Sequence, residues 1–195
     1  MKMIEWYTDK LIKRPFITKS ITSFFTFGLG DFICQSIEGK LTGSKKSYDL
    51  KRILRQACFG FAVTPYFHLQ FNIIIPKLFP GSGPINLVKI IAYDQTIGAS
   101  LFLIIFFSYM DTMNGVNINQ SIKDTFQKLP SCMIANWKLW PLAQALNFTI
   151  VPSPYRVLFA NSVGIIWNTY LSFIQNNKPN KTEENSLKSD FNNKI

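Results

Sequence analysis

Two long stretches of the chain carry almost no charge, and this shortage constrains the fold more than any other feature. Between residues 56 and 122 the charged side chains are Lys77, Lys89, Asp94 and Asp111. Between residues 129 and 177 they are Lys138 and Arg156. A helix of a soluble protein presents a charged face to water, and these stretches hold too few charges to build one. They are therefore predicted to lie in lipid.

The overall charge agrees with a membrane setting. Charged residues make up 16% of the chain, whereas a soluble domain has roughly 25%. The net charge is +10, and the basic residues gather near the ends and in one loop, where Lys and Arg can meet lipid headgroups. The aromatic residues lie in apolar runs and not beside Arg/Lys clusters. The lipid bilayer is the expected partner, and no nucleic acid is expected to bind.

Four stretches are predicted to span the membrane, at about residues 16–37, 54–78, 87–110 and 157–174. Lys19 and Glu38 bound the first, and their separation corresponds to about 28 Å of helix, close to a hydrocarbon thickness of about 30 Å. Pro65 is expected to kink the second span, as lipid-embedded helices tolerate. The predicted fold is an all-α, multi-pass membrane helical bundle of about four transmembrane helices with interfacial amphipathic helices.

The remaining segments are predicted to lie at the membrane surface or outside it. Residues 1–14 and 120–128 are expected to form amphipathic helices at the interface. Residues 131–150 are apolar but broken by Pro141, and they could span the membrane, re-enter it or lie on its surface. Residues 1–175 are expected to form one membrane domain, followed by a polar, disordered tail at 176–195.

The sequence shows no sign of an enzyme. It contains no phosphate-binding loop, no dinucleotide fingerprint and no zinc-protease or serine-hydrolase motif. Cys34, Cys58 and Cys132 are odd in number and far apart, so they indicate neither a disulfide framework nor a zinc site. No catalytic residue, metal or cofactor is expected.

Asp31 is the most unusual residue of the first span. It lies 12 residues beyond Lys19, about 18 Å deep in an upright helix. A carboxylate at such depth costs about 2.5 to 3.5 kcal/mol on insertion scales. Asp31 shares a helical face with Ser20, Gly28 and Gln35. It is interpreted either as a pore or relay carboxylate, or as a polar clasp that joins two helices.

Two further titratable groups lie in the middle spans. His68, the single histidine, is interpreted as a hydrogen-bonded structural residue or as a gate opened by protonation. Asp94, followed by Gln95, begins the third span, where a carboxylate is expected to pair with a basic residue of another helix. The candidate partners stand at predicted helix starts: Arg52, Arg55 and Arg156.

Neutral polar residues form stripes in the C-terminal half. One stripe comprises Trp140, Gln144 and Asn147, and another comprises Asn161, Gly164, Asn168 and Ser172. These groups suit the lining of an aqueous path. They equally suit hydrogen bonds between helices, at about 0.6 kcal/mol each.

The same C-terminal region carries the most specific resemblance to known proteins. The pattern reads Trp137-x-x-Trp140-Pro141-x-x-Gln144-x-x-Asn147-Phe148-x-x-Val151-Pro152, then Arg156, then Trp167-Asn168-x-Tyr170-Leu171-Ser172. It resembles the peroxisomal membrane protein two/four family, which is also named after Mpv and the twenty-two-kilodalton peroxisomal membrane protein. Gly30-Asp31 with Gln35, Pro65 with His68, and Asp94-Gln95 are similar to other blocks of that family.

The chain departs from the family pattern at three places. Thr64 stands where a Gly commonly precedes the Pro, and Gln70-Phe71 replaces the usual Trp-Tyr. Gly98-Ala99-Ser100 occupies a position where a Pro often follows the Asp-Gln pair. These departures bear on local helix geometry.

The resemblance implies a four-span integral protein of the inner mitochondrial or peroxisomal membrane. Some members of the family act as weakly selective channels for small solutes, and some bear on organelle homeostasis. The leading hypothesis is a channel-like pore for small hydrophilic solutes, with a homo-oligomer as a possible assembly. The alternative is a non-conducting membrane scaffold or interaction protein. A pore requires the side chains of Asp31, His68, Asp94 and Asn168 to converge on one water-filled cavity.

Overall fold

The computed structural model describes residues 2–42, 47–81, 83–151 and 156–176, and every regular element within them is a helix. The α-helices are α1 Lys2–Lys13, α2 Pro15–Thr42, α3 Leu50–Ala62, α4 Thr64–Leu69, α5 Ile75–Leu78, α6 Pro84–Tyr93, α7 Ala99–Met113, α8 Ile118–Thr149 and α9 Arg156–Asn176. Two π-helical turns interrupt this series. Gln70–Ile74 joins α4 to α5, and Asp94–Gly98 joins α6 to α7. The predicted all-α fold is confirmed.

Two continuous helical stretches of the described chain are long and apolar enough to cross a membrane. They are Leu50–Leu78 and Pro84–Met113, and they contain the second and third predicted spans. The first and fourth predicted spans lie in α2 and α9, which are helical as expected. The membrane crossing of α2 and α9 stays a prediction.

The outer surface of the bundle is apolar. Large hydrophobic side chains are exposed on many of the helices, among them Phe25 of α2, Ile85 of α6, Leu142 of α8 and Ile166 of α9. A water-soluble monomer rarely leaves so much contiguous apolar surface uncovered. A lipid environment accounts for this surface, on α2 and α9 as well as on the two most apolar stretches.

The interior is built mainly from aromatic rings. Phe59 of α3 lies 5.1 Å, centroid to centroid, from Phe106 of α7 and 5.5 Å from Phe27 of α2. Phe106 and Phe107 have no exposed surface. Aromatic pairs in tilted and edge-to-face arrangements contribute about 0.5–1.5 kcal/mol each beyond the area they bury. These rings join α2, α3 and α7, and the same core continues into α8 and α9 through Cys132 and Leu171.

Glycines bring the helices unusually close. A Cβ built on Gly30 of α2 would lie 2.6 Å from Cβ of Asn168 in α9. A Cβ on Gly60 of α3 would collide with the backbone oxygen of Ser23 in α2. Small residues at helix crossings allow such backbone contact in membrane proteins. Helix α2 is consequently held tightly between α3 and α9.

The structure corrects the prediction for residues 120–150. The expected short helix at 120–128 and the break at Pro141 are wrong, because α8 runs without interruption through both Pro130 and Pro141. A proline removes one backbone donor and disturbs one turn. Packing of α8 against α7 and α9 holds the remaining turns in place. Whether residues 131–150 span the membrane stays open.

Two other sequence predictions concern helix ends. Helix α3 ends at Ala62, and Pro65 occupies the first turn of α4, where a missing backbone donor has no consequence. The kink expected at Pro65 thus has its counterpart in a helix boundary two residues earlier, at Val63. The predicted disordered tail at 176–195 lies outside the described residues apart from Asn176, which ends α9.

Candidate functional site

Two groups of polar side chains inside the bundle contain residues of the predicted site. We call the first the carboxylate clasp, formed by Asp31, Glu38, Arg52 and Ser172. The second surrounds a cavity of about 360 Å³, which we call the central cavity. The sequence alone did not separate these two groups.

The carboxylate clasp centres on Asp31, which has no exposed surface. Nε of Arg52 donates to Asp31 Oδ1 at 2.7 Å, and the Ser172 hydroxyl donates to the same oxygen. Nε2 of Gln35 donates to Oδ2 at 2.8 Å. Arg52 begins α3 and Ser172 lies in α9, so one carboxylate ties three helices together. A buried charge needs such partners, because burying it alone is strongly unfavourable.

The Arg52 guanidinium also binds a second carboxylate. Nη1 and Nη2 of Arg52 donate to the two carboxylate oxygens of Glu38 at 2.7 and 3.2 Å. This two-point contact matches the planar fork of arginine to a carboxylate. The carboxylate of Asp49 caps α3 by accepting from the Arg52 backbone N–H at 3.0 Å, which fixes the position of the arginine.

The central cavity lies between five helical segments. Its described lining comprises Ser23, Thr26 and Phe27 of α2, Phe67 of α4, Gln70 and Phe71, Asp94, Gln95 and Gly98, Ala99 and Phe102 of α7, Asn136, Trp140 and Gln144 of α8, and Ala160, Asn161, Gly164, Trp167 and Asn168 of α9. Aromatic rings and neutral amides dominate this surface. Asp94 is the charged member of the described lining.

A chain of amides holds Asp94 in place. Nε2 of Gln70 donates to Asp94 Oδ1 at 3.0 Å, and Nε2 of Gln95 donates to Oδ2 at 3.2 Å. Asn136 of α8 donates to the Gln95 side-chain oxygen at 3.0 Å, and the Trp137 indole N–H donates to the Gln95 backbone oxygen at 2.7 Å. The carboxylate is therefore connected to three elements by neutral donors.

Both π-helical turns meet at this carboxylate. Gln70 is the first residue of one turn, and Asp94 is the first residue of the other. A side chain on Gly98 would collide with the Gln70 amide, so the glycine leaves room for the contact. The Tyr66 hydroxyl donates to the Gly98 backbone oxygen at 2.6 Å. Single π-helical turns within α-helices are frequent at functional sites.

The cavity lies near the middle of the two apolar stretches. Asp94 lies ten residues beyond Pro84, which corresponds to about 15 Å of helix. Gln70 lies eight residues before Leu78, or about 12 Å. If these stretches cross a hydrocarbon layer of about 30 Å, both side chains lie close to its centre.

The structure brings together only part of the predicted site. Asp94, Gln95, Gln144 and Asn168 line the central cavity. His68 does not; its ring is exposed, and the Asn72 amide lies 3.3 Å from its Nδ1. His68 and Gln70 are two residues apart, about 200° around a helix, so the histidine points away when Gln70 points inward.

Asp31 and Gln35 belong to the carboxylate clasp and are absent from the described lining of the cavity. The expected convergence of Asp31 and His68 with Asp94 and Asn168 on one cavity is therefore wrong, and of these four residues only Asp94 and Asn168 are placed to line a path through the central cavity. The geometry of Asp31 is that of the interhelical clasp.

The predicted ion pair of Asp94 is also corrected. In the described part of the chain its carboxylate meets amides, and Arg52 pairs with Asp31 instead, because α3 packs along α2 and brings Arg52 beside the middle of α2. Arg55 forms no ion pair within that part of the chain. The side chains of Asn147 and Arg156 lie outside the described residues.

Several residues of both groups escaped the sequence analysis. Three of them are Gln70, Asn136 and Tyr66. Each follows an apolar residue, and the only sequence signal is an amide or hydroxyl group within a mainly apolar stretch. Glu38 was placed at a membrane boundary and not in the clasp. Gln56, which donates to the Asn168 backbone oxygen at 3.1 Å, was likewise missed. The departures from the family pattern at Gln70 and at Gly98-Ala99 were the signals near the site.

Comparison with known proteins identifies relatives over most of the chain. Residues 111–172 match the family described as the Mpv17 / PMP22 family. Protein sym-1 of Neurospora crassa is 33% identical over 178 residues, covering 88% of this chain and 98% of the relative.

Two further relatives give similar values. Protein SYM1 of Saccharomyces cerevisiae is 32% identical, covering 89% of this chain and 90% of the relative. PXMP2/4 family protein 4 of Dictyostelium discoideum is 32% identical, covering 85% and 89% respectively. No solved structure matches the chain.

Proposed function

The chain belongs to the Mpv17 / PMP22 family, and on that premise we propose that it forms a channel-like path for small hydrophilic solutes across an organelle membrane. The central cavity is the observation that supports this most directly. It holds a carboxylate and several amides near the middle of two stretches that are apolar enough to span a bilayer. Ionisable groups at that depth are costly, and they commonly mark ion or solute pathways.

The proposed path is enclosed by four spanning elements: α2, the stretch α3–α5, the stretch α6–α7, and α9, with α8 closing one side. The proposed location is the inner mitochondrial membrane or the peroxisomal membrane. The protein is proposed to act by letting solutes pass and not by catalysis. The partners are then the bilayer and the solutes themselves.

Gly164 offers a direct test. It lines the central cavity, and a Cβ built on it meets no atom within 4 Å. Gly164→Phe should therefore fill part of the cavity without disturbing the bundle. Purified full-length protein in planar bilayers is expected to conduct, and Gly164→Phe should lose most of that conductance. Ile166→Phe is the matched control, because Ile166 is 61% exposed on the same helix.

A non-conducting scaffold is the alternative. It is favoured by the polar contacts themselves, since both Asp94 oxygens and both Asp31 oxygens already accept hydrogen bonds from the protein. A scaffold requires only that such groups be paired. A well-folded wild-type protein that never conducts would favour the scaffold. Equal conductance by Gly164→Phe and by the wild-type protein would show that the conducting path does not pass through the central cavity.

A further inference from the structure

We propose that the central cavity is a binding site for small organic ammonium ions, with Asp94 contacting the positive charge. This proposal rests on the proposed function, since it names the class of solute that the path admits. Two features of the cavity carry it: a carboxylate that has no basic partner among the described residues, and a wall of aromatic rings.

The negative charge of Asp94 lacks a protein counter-charge among the described residues. The described lining of the cavity contains no Lys, Arg or His, and the ion pairs of the described chain involve other carboxylates. The groups that touch Asp94 are the neutral amides of Gln70 and Gln95. A carboxylate in a low-dielectric setting attracts a cation far more strongly than one in water. A bound cation would supply the missing charge.

The carboxylate also has room to accept further hydrogen bonds. An ionised carboxylate offers about four acceptor positions. Gln70 occupies one on Oδ1 and Gln95 occupies one on Oδ2. The amides therefore fix the carboxylate in orientation and leave acceptor positions that a donor in the cavity can use.

Aromatic rings favour an organic ammonium ion over a bare alkali ion. Phe67, Phe102, Trp140 and Trp167 all contribute to the wall. Ring faces attract alkylated ammonium groups, and such cages recognise quaternary ammonium ligands. An alkali ion would instead need several oxygen ligands to replace its hydration shell.

Size and charge exclude other classes of solute. The cavity volume of about 360 Å³ falls at the lower end of the range of roughly 300–1,000 Å³ for small-molecule sites. A phosphorylated or multiply carboxylated metabolite would face Asp94 with no described basic side chain to receive it. The expected ligand is compact, carries one positive charge and has an apolar body.

Binding can be measured without transport, because Trp140 and Trp167 line the cavity and report on its contents. Full-length protein in detergent would be titrated with choline chloride while tryptophan fluorescence and melting temperature are followed. The comparison ligand is the uncharged isostere of choline, in which carbon replaces nitrogen. Sodium or potassium chloride keeps the ionic strength constant. Choline is expected to produce a saturable change, and its isostere and the salts are expected to produce none.

Substitutions then assign the site. Asp94→Asn should weaken choline binding by about tenfold or more, as expected for the loss of a contact between charged groups. Asp9→Asn is the control, because Asp9 is an exposed carboxylate paired with Lys13 on α1. If Asp94→Asn fails to fold, Trp140→Leu replaces it. Choline should then raise the melting temperature less than it does in the wild type.

Several outcomes would overturn the proposal. They are no choline binding by the wild-type protein, equal binding of the uncharged isostere or of potassium, and full choline affinity in Asp94→Asn. The result is also independent of conductance. Choline binding without conductance would contradict the proposed pore and support the binding site. Conductance without choline binding would contradict the binding site and support the pore.

Discussion

Arg52 Nε lies 2.7 Å from Oδ1 of Asp31, and the two residues are separated by 21 positions in the chain. The carboxylate is fully buried, whereas the arginine side chain retains 15% of its exposure. This pair, together with Glu38 and Ser172, fastens the N-terminal end of α3 to the middle of α2 and to α9. It makes the clasp a structural element whose loss can be measured.

Arg52→Met should destabilise the protein more than Asp31→Asn. Removing Asp31 leaves Arg52 paired with Glu38, whereas removing Arg52 takes the guanidinium away from both carboxylates. Breaking a buried ion pair costs about 3–5 kcal/mol, and Arg52→Met is expected to fall in that range. Thermal unfolding of the purified variants in detergent measures the difference.

The exposed pair between Lys13 and Asp9, at 2.9 Å, provides the control for this comparison. Asp9→Asn should cost no more than about 0.5 kcal/mol, as is usual for a surface pair on a helix. The double variant Asp31→Leu with Arg52→Met should recover part of the stability lost in Arg52→Met. An Asp31→Asn protein as stable as wild type, with altered ion selectivity, would contradict the clasp.

Gly30→Ala is expected to lower the free energy of unfolding by about 1–3 kcal/mol, the usual cost of overpacking. The added methyl would lie 2.6 Å from Asn168 Cβ and 2.9 Å from its backbone carbon, so α2 and α9 would have to separate. Gly164→Ala is the matched control on α9, since no atom lies within 4 Å of its Cβ position. Equal melting temperatures for the two variants in detergent would show that the crossing is looser than described.

A chain that ends at Ile174 should be less stable than one that ends at Asn176. Gln175 donates to the buried Asp111 carboxylate at 2.7 Å and accepts from Lys128 at 2.8 Å. Loss of that donor leaves a buried charged acceptor, at a cost of about 1–3 kcal/mol or more. Melting temperature and yield in the membrane fraction are the measurements. Gln175→Leu in the full chain should reproduce the effect, and its absence there would attribute the loss to the new C-terminus.

The full-length protein is expected to remain in the membrane pellet after alkaline carbonate extraction. The described helices expose large apolar side chains on α2, α6, α8 and α9, and two stretches are long and apolar enough to span a bilayer. Alkaline carbonate releases proteins held by charge and leaves those held by apolar burial. Recovery of the intact chain in the supernatant would rule out an integral protein.

The sequence was sufficient for the fold class because charge placement acts over whole helices. Each lipid-facing residue contributes independently, so the scarcity of charges between residues 56 and 122 was enough to indicate membrane helices without knowledge of contacts. Proline was less informative. Pro65 coincides with a helix boundary, whereas Pro141 lies within a continuous helix, because tertiary packing decides whether the neighbouring turns persist.

The partners of the buried charges were harder to predict. Asp31, Asp94 and Arg52 were all identified as important, yet Arg52 was a candidate partner for Asp94 and proved to be the partner of Asp31. Which charged side chains pair depends on how the helices cross. The spacing of residues along the sequence does not determine how one helix is rotated relative to another. Gln70 shows the same limit, since a lone amide in an apolar run does not reveal what it faces.

The two π-helical turns have a consequence for the periodicity of the chain. A π-helical turn closes hydrogen bonds five residues apart and so contains one residue more than the corresponding α-helical turn. Each turn therefore acts as a one-residue insertion and shifts the helical phase of all that follows by about 100°. A helical wheel drawn with a constant 100° step across Gln70 or Asp94 therefore places residues after the turn on the wrong face of the helix. Deleting one residue from either turn should restore an unbroken α-helix and leave its distal half in register with the bundle.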